Sequence, residues 1–444
     1  MSKTATDKTE GVSPIPVIAR PSPGLRSDDL HKYRRINMRA EPKSVILIQN
    51  SASSLGGVET LVARIAKEVL ARGAAVTILI LQDSVSSTAI RTIPDGCRIV
   101  FVNKPLWKDW LFPRGFWAAY WHDLLPPACD YLISFSPSSA MVMRLLRRSR
   151  FPGAAEFVYV VHPKMLDCDS DENPPYAKVV IDSLNLDSVF FMNPACRDEH
   201  ATKGLTRFAS CDVVPLPVEP FMFSVAQLRI PRKIVSVGRV QSGFKSYNWT
   251  FIRPFAAIAN AHDLTWEIYG GGEKEAVASL KHAIAQAGME DRIFHKGEIS
   301  YDRMADAMDG SFAFVGMGTA AVESASMGLP TIVATAYSEG PTSHGLIQDV
   351  PFPCLGEAIA GHQERGIGDL LLELLELDEA GISEVRRASR IHAEKFSITA
   401  FCDYLEQKYV DVRNLPSVSV TQIIQLAVHY AWSRLATRLR RRPR

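Results

Sequence analysis

The feature that most limits what this chain can fold into is a rhythm of short apolar runs, each closed by a polar or glycine-bearing loop and followed by a stretch at helical spacing. SVILIQN leads to a loop with Gly56 and Gly57; VETLVARIAKEVLARG then sets Val58, Leu61, Val62, Ile65 and Val69 on one helical stripe before Gly73, and VTILIL follows. Strand, glycine loop, helix and strand make one βαβ unit, in which a strand covered on both faces reads as an unbroken apolar run. Further runs at YLISF, EFVYVVH, SVFFM and CDVVPLP are separated by enough chain for helices, which predicts a parallel sheet with helices on both faces. After the proline-rich joint VVPLPVEPFMF the rhythm restarts with KIVSVGR, a helix over about 247–261, LTWEIYGGG, a helix over 273–288, RIFHKG, a helix near Tyr301, FAFVGMG, a helix over 319–328 and PTIVA. The expected architecture is α/β, two parallel-sheet domains facing a central cleft.

Length agrees: 444 residues hold two domains, each large enough to bury a core without disulfide or metal staples. At 47% hydrophobic and 22% charged residues the chain is neither mainly disordered nor fibrous, and a net charge of +2 carries no nucleic-acid signature. Seven cysteines, scattered without a C-x-x-C pair, support neither a zinc module nor a disulfide framework, so a reducing, cytoplasmic setting is expected. Residues 1–42, rich in Pro, Ser, Thr and charge, read as a disordered extension without signal-peptide pattern. No apolar run approaches the roughly 18 to 20 residues that span a bilayer.

Charge is unevenly placed. Arg413 and six further arginines from Arg434 onward, with no acid among them, leave −5 for the chain before. Val420, Ile423, Ile424, Ala427, Val428, Ala431, Leu435 and Leu439 recur there at helical spacing beside Trp432. Residues 412–444 therefore read as a basic amphipathic tail, suited either to an anionic membrane surface, such as the inner face of the plasma membrane, or to packing on the first domain or a partner.

Ligands of parallel sheets sit beyond the carboxyl ends of the strands, and four such loops carry candidates. Gly56 and Gly57 precede a helix whose N-terminal amides attract anions, although a tight turn explains them equally. His162 closes EFVYVVH, where a histidine also serves structure alone. GRVQSGFKSYN offers Arg239 as a bidentate fork and Lys245 as a point charge, a pair that suits a diphosphate, against the reading of a solvated loop. In FVGMGTAAVESASMGLP, Gly316 and Gly318 open the turn, Thr319 to Ala321 supply free amides, and Glu323 can accept a pair of ribose hydroxyls or simply complement the helix dipole.

Taken together these segments resemble the retaining glycosyltransferases of the GT-B fold, family four, over about residues 43–411. GGVETLVARIAKEVLARG is similar to their N-terminal glycine loop and helix, SVGRVQSGFKSYN to their phosphate loop, EIYGGGEKEAV and DRIFHKGEIS to the two segments that follow, and VESASMGLPTIVA to their Glu, Gly and Pro signature. The wording GFKSYN and FVGMGTAAVE is closest to the bacterial surface-polysaccharide (exopolysaccharide) branch. The resemblance implies two Rossmann-like domains: 43–218 on the acceptor side and 219–411 binding a UDP- or GDP-linked sugar. It implies a hexosyltransferase-type, retaining, metal-independent transfer to a glycan or lipid-linked acceptor, without cofactor.

By the same resemblance Arg239 and Lys245 hold the diphosphate and stabilise the departing charge, and His162 faces the sugar from the other lobe. Glu323 binds the ribose; Gly316, Met317, Gly318 and Thr319 line the donor; Gly56 and Gly57 close over the phosphate or acceptor. The chain departs from the family where Val315 stands eight positions before Glu323 in place of a first glutamate, and where the step from Arg239 to Lys245 is one residue longer than its commonest form. Asp167, Asp169, Asp171 and Glu172 contain a D-x-D pattern, a metal site or a solvated acidic loop. Two other functions fit the architecture. A nucleotide-sugar epimerase needs a carboxylate acid/base pair that the sequence does not assign, and a non-catalytic subunit of a glycan-assembly complex is favoured by Val315 and disfavoured by Arg239, Lys245 and Glu323.

Overall fold

The computed structural model describes residues 43–52, 56–81, 86–102, 121–167, 177–219, 232–417 and 419, 421, 422, 424, 425 and 428. The extension 1–42, Cys168 to Glu172 of the acidic loop, and Trp432 with the arginines from Arg434 onward lie outside the described residues.

The first sheet comprises β1 (Ser44–Gln49), β2 (Ala75–Ile80), β3 (Arg98–Phe101), β4 (Tyr131–Ser134), β5 (Ala155–Val160), β6 (Val189–Phe191) and β7 (Asp212–Val213). All pairs are parallel, in the order β3-β2-β1-β4-β5-β6-β7. β1 is buried at every residue because it is central, with Val45 opposite both Val76 and Tyr131. CDVVPLP yields only the two residues of β7, since Pro215 and Pro217 have no amide to give a ladder.

The second sheet comprises β8 (Arg232–Val237), β9 (Leu264–Tyr269), β10 (Ile293–Gly297), β11 (Ser311–Gly316), β12 (Thr331–Ala334), β13 (Thr342–Leu346) and β14 (Arg365–Gly366), ordered β10-β9-β8-β11-β12-β13-β14. It is parallel as far as β12. β13 and β14 run antiparallel, which corrects the expectation of a wholly parallel second sheet. The connection from Ala334 to Thr342 is too short to carry a crossover helix, so the chain can only turn back. The helix expected over 247–261 is broken into Tyr247–Thr250 and Ile252–Ala259, because Pro254 cannot donate to the carbonyl four residues earlier.

In each sheet the strand order reverses beside the first strand, β1 next to β4 and β8 next to β11. Both lobes therefore open a crevice at their carboxyl edges, where a ligand can enter between diverging loops. Among the described residues the chain passes between lobes at two places side by side: Val218 bridges Ser397 in parallel, its amide donating to Phe396 O at 2.8 Å. The helix Ile398–Arg413, which a linear division at 411 would leave with the second lobe, packs into the core of the first, with Phe401 5.2 Å from the Tyr159 ring and Tyr409 5.0 Å from Tyr131. Arg72 binds it through Asp403 at 2.9 Å and Glu406 at 2.6 Å, and buried Arg147 donates to the Arg413 carbonyl at 3.0 Å.

Candidate functional site

Past Val237 the chain keeps pairing with its neighbour. Gly238 donates its amide to Tyr269 O at 2.9 Å and Val240 donates to Gly271 O at 2.7 Å, which pins the backbone on both sides of Arg239. Glycine makes the approach possible: a Cβ on Gly270 would stand 2.0 Å from the Gly238 carbonyl oxygen, and one on Gly272 2.2 Å from that of Val240. Lys245 folds back over the same turn, its Nζ only 2.3 Å from where Gly238, at φ +150°, would carry a Cβ. Burial, and then the neighbouring Arg239 charge, push the Lys245 ammonium down to about 8. Arg239 Nε is buried with no hydrogen-bond partner among the described residues, and Nη2 stands 4.0 Å from Glu59 of the opposite lobe. Two cations so loosely neutralised, on one rigid loop, make an anion site.

The second wall begins where β11 ends. Gly318, at φ +67°, caps the helix Thr319–Ser326 and donates its amide to Leu355 O at 2.8 Å. Of the three free amides expected from Thr319 to Ala321, that of Ala321 is engaged, donating to Gly318 O at 3.1 Å. Val315 is wholly buried within β11, its carbonyl accepting from Ser236 Oγ at 2.7 Å. The position eight before Glu323 thus lies in the core, and a side chain there faces packing partners instead of the cleft.

Glu323 is 1% exposed, and its Oε1 accepts from Arg64 Nη2 and, at 2.8 Å, from the Tyr301 hydroxyl. Arg64 belongs to the first lobe's helix Gly57–Ala71 and also reaches Tyr301 at 3.1 Å and Pro217 O at 3.2 Å. Burial works against the Arg64 charge, but Glu323 and Tyr301 outweigh it and hold the guanidinium above its ordinary range. The carboxylate expected to meet a ribose is therefore tied across the cleft through one oxygen, with the described bonds leaving Oε2 to a ligand.

From the first lobe come Gly56, the residue before that helix, and Gly57, its first turn. A Cβ on Gly56 would meet Arg239 Nη2 at 2.3 Å and Glu59 Oε2 at 2.8 Å. His162 follows β5; its Nδ1 accepts the Lys164 amide at 3.1 Å, so Nε2 carries the ring proton, 3.5 Å from the Tyr337 hydroxyl. Its ring lies 5.1 Å from Phe244 of the second lobe. Tyr337 itself sits at φ +56°, a conformation that favours glycine, with Lys164 Nζ 4.6 Å above its ring.

These groups enclose a cavity of about 580 Å³ between the lobes. Arg239, Lys245, His162, Glu323, Met317, Gly318, Thr319, Gly56 and Gly57 all line it. Gly316 lies behind the wall, where a Cβ would strike the Phe314 ring at 2.7 Å. Sequence reasoning missed Glu59, Arg64, Tyr301 and Glu357. Glu357 accepts the Leu355 amide at 2.8 Å and a bond from the Asn193 side chain of the first lobe. All four take their place from partners far away in the chain, Arg64 from Glu323 and Tyr301 among them, which the sequence does not show. Asp167 pairs with Lys203 at 3.1 Å, and among the described residues no group of three His, Cys, Asp or Glu is arranged to hold a metal ion.

No protein-family model and no curated protein matches the chain. Solved structures do. TarM of S. aureus, in a complex with UDP and α-GlcNAc-glycerol, is 12% identical with a TM-score of 0.60 over 84% of this chain and 100% of its own. HepE of Anabaena, in complex with UDP-glucose, is 14% identical at 0.60 over 83% and 99%. Sucrose-phosphate synthase from Thermosynechococcus elongatus is 14% identical at 0.61 over 83% and 98%. At these identities the likeness shows the fold: two Rossmann-like sheets in the GT-B arrangement of glycosyltransferases.

Proposed function

We propose that the chain is a glycosyltransferase that moves a sugar from a nucleoside diphosphate donor to a glycan or lipid-linked acceptor, with retention and without a metal ion, in surface-polysaccharide synthesis. The observation that carries this reading is the pairing of Arg239 and Lys245 on one pinned loop inside a two-lobed cavity. A departing nucleotide develops negative charge on its phosphate, and preorganised cations in a site closed to water stabilise that charge. Neighbours of the same fold that hold UDP or UDP-glucose support the donor class.

A panel of UDP- and GDP-sugars tests it by calorimetry and by transfer. Arg239→Ala and Lys245→Ala are each expected to lose about 2 to 4 kcal/mol of transition-state stabilisation. Transfer at the parent rate in both variants removes the site. Activity abolished by EDTA and restored by Mg²⁺ or Mn²⁺ removes the metal-free part alone. The tail would hold the enzyme near a lipid-linked acceptor, each arginine near the surface adding about 1 kcal/mol of attraction to anionic lipid. Because the Arg413 and Leu415 carbonyls bind Arg147, the deletion that tests this starts at 418. Equal binding of full-length and shortened protein to anionic vesicles contradicts it.

A further inference from the structure

Helix Gly57–Ala71 lays its apolar stripe on the first sheet and carries a buried cation toward the second lobe. Arg64 is 3% exposed, and its guanidinium directs its donors to groups far along the chain. Nη2 meets Glu323 Oε1 and stands 3.4 Å from Thr319 Oγ1, Nε donates to the Tyr301 hydroxyl at 3.1 Å, and Nη1 donates to Pro217 O at 3.2 Å. A fastener between lobes needs an acid anywhere on the facing surface. This one takes an acid that lines the cavity.

Which oxygen it takes decides what is left. Arg64 and the Tyr301 hydroxyl both donate to Oε1, and two donors fill the acceptor sites of one carboxylate oxygen. Oε2 accepts none of the described bonds, so a ligand hydroxyl meets that oxygen alone. Charge follows the same contact. Burial pushes the Glu323 carboxyl above its usual range, and the Arg64 charge comes first among the influences that bring it back, ahead of the Tyr301 hydrogen bond. The strands beside its helix, Ser311–Gly316 and Thr331–Ala334, carry no titratable side chain, and Arg390 of the helix Glu379–Ala393 stands at Gly328, beyond the helix end. Arg303, next but one to Tyr301, pairs with Asp306 at the surface, and Lys67, three residues on from Arg64, pairs with Glu219. A carboxyl deprived of Arg64 therefore takes up a proton more readily.

We infer that Arg64 is a positioning residue of the nucleotide site: by holding one oxygen of Glu323 across the cleft it turns the other, with its charge, onto the ribose hydroxyls of the donor, so that the first lobe completes the ribose site of the second. The inference rests on the reading above, in which the donor is a nucleoside diphosphate sugar. Ribose is then gripped while the lobes meet and loosened when they part, because Arg64 leaves with its own lobe.

The experiment uses the full chain and calorimetry, with UDP or GDP, whichever the panel identifies, and an analogue of it lacking both ribose hydroxyls. In the parent, loss of the hydroxyls is expected to cost ~10-fold or more in affinity, since hydrogen bonds to a charged acceptor are the strong ones. Arg64→Gln should cut that ratio to about twofold near pH 7 and start the acid-side fall of nucleotide affinity at a higher pH. The fall runs toward acid because a protonated carboxyl accepts the hydroxyls less strongly, and the analogue should not show it; the fall toward base that belongs to Lys245 is common to both ligands. Arg64→Lys restores the charge without the fork, so the acid limb should return to the parental pH with a ratio between the other two. It carries the test alone if far-UV circular dichroism shows that the glutamine variant does not fold. An arginine that only fastens the lobes lowers affinity for both ligands alike, so a parental ratio in either variant, or an unmoved acid limb in Arg64→Gln, overturns the assignment. A parent that binds the two ligands equally overturns it as well, and leaves the donor reading in place. A parent that binds neither UDP nor GDP overturns the donor reading first, and this one with it.

Discussion

Lys245 carries a titration into the middle of the Arg239 loop. Burial and then Arg239 lower its ammonium to about 8, and on the proposed function a diphosphate bound there, favouring the charged form, should lift it again. Between the two values binding takes up a proton, so affinity for UDP should be level below about pH 7 and fall by up to about tenfold per unit above about pH 8. Lys245→Arg, charged throughout this range, should give a level profile. Calorimetry across this range checks both, and a level parent profile takes Lys245 off the phosphate. At this scale much of the site was legible: cations on a strand-end loop advertise their chemistry by type and spacing. Glu59 and Arg64 did not, since both sit on a helix whose pattern explains them as cap and as solvated charge, and only the opposite lobe gives them another role.

Elements succeed or fail here through backbone contact. The run Gly270-Gly271-Gly272 reads in sequence as a strand ending in a flexible turn, yet it is the bed on which the Arg239 loop is laid. Gly270→Ala places a Cβ against the Gly238 carbonyl, at φ +148°, and neither side can move without breaking the pairing. A loss of about 1 to 3 kcal/mol in urea unfolding is expected, with weaker UDP binding because Arg239 shifts with the loop. Unchanged stability and binding would mean that the loop tolerates displacement. Parallel strands were visible as apolar runs between helices, whereas β13, THR-SER-HIS-GLY-LEU in composition, has no such run and takes its direction from the shortness of the preceding turn. Helices were placed well where glycine ended them and poorly at Pro254, which interrupts one.

Among the contacts between the lobes of the described residues is a buried ion pair, Arg64 with Glu323, one member from each lobe. Removing one partner of such a pair leaves a charge without compensation and costs about 3 to 5 kcal/mol, while an apolar pair of similar volume can restore most of it. Arg64→Met should therefore lower the unfolding midpoint steeply, and adding Glu323→Met should recover it in part although donor binding is lost. A single variant as stable as the parent would show that the lobes do not rely on this contact. What composition could not reveal is that residues 398–413 return to the first lobe, because an amphipathic helix does not state which sheet it covers. That return sets a schedule for synthesis. β1 to β7 leave the ribosome first, but Phe401, Leu405 and Val412, which complete their core, leave after the entire second lobe. The lobe begun first is finished last, and must wait with one face uncovered while its neighbour folds. Nascent chains halted before Ile398 should resist protease over 232–393 and yield over 43–218, and a stop codon there spares the later lobe while ruining the earlier one.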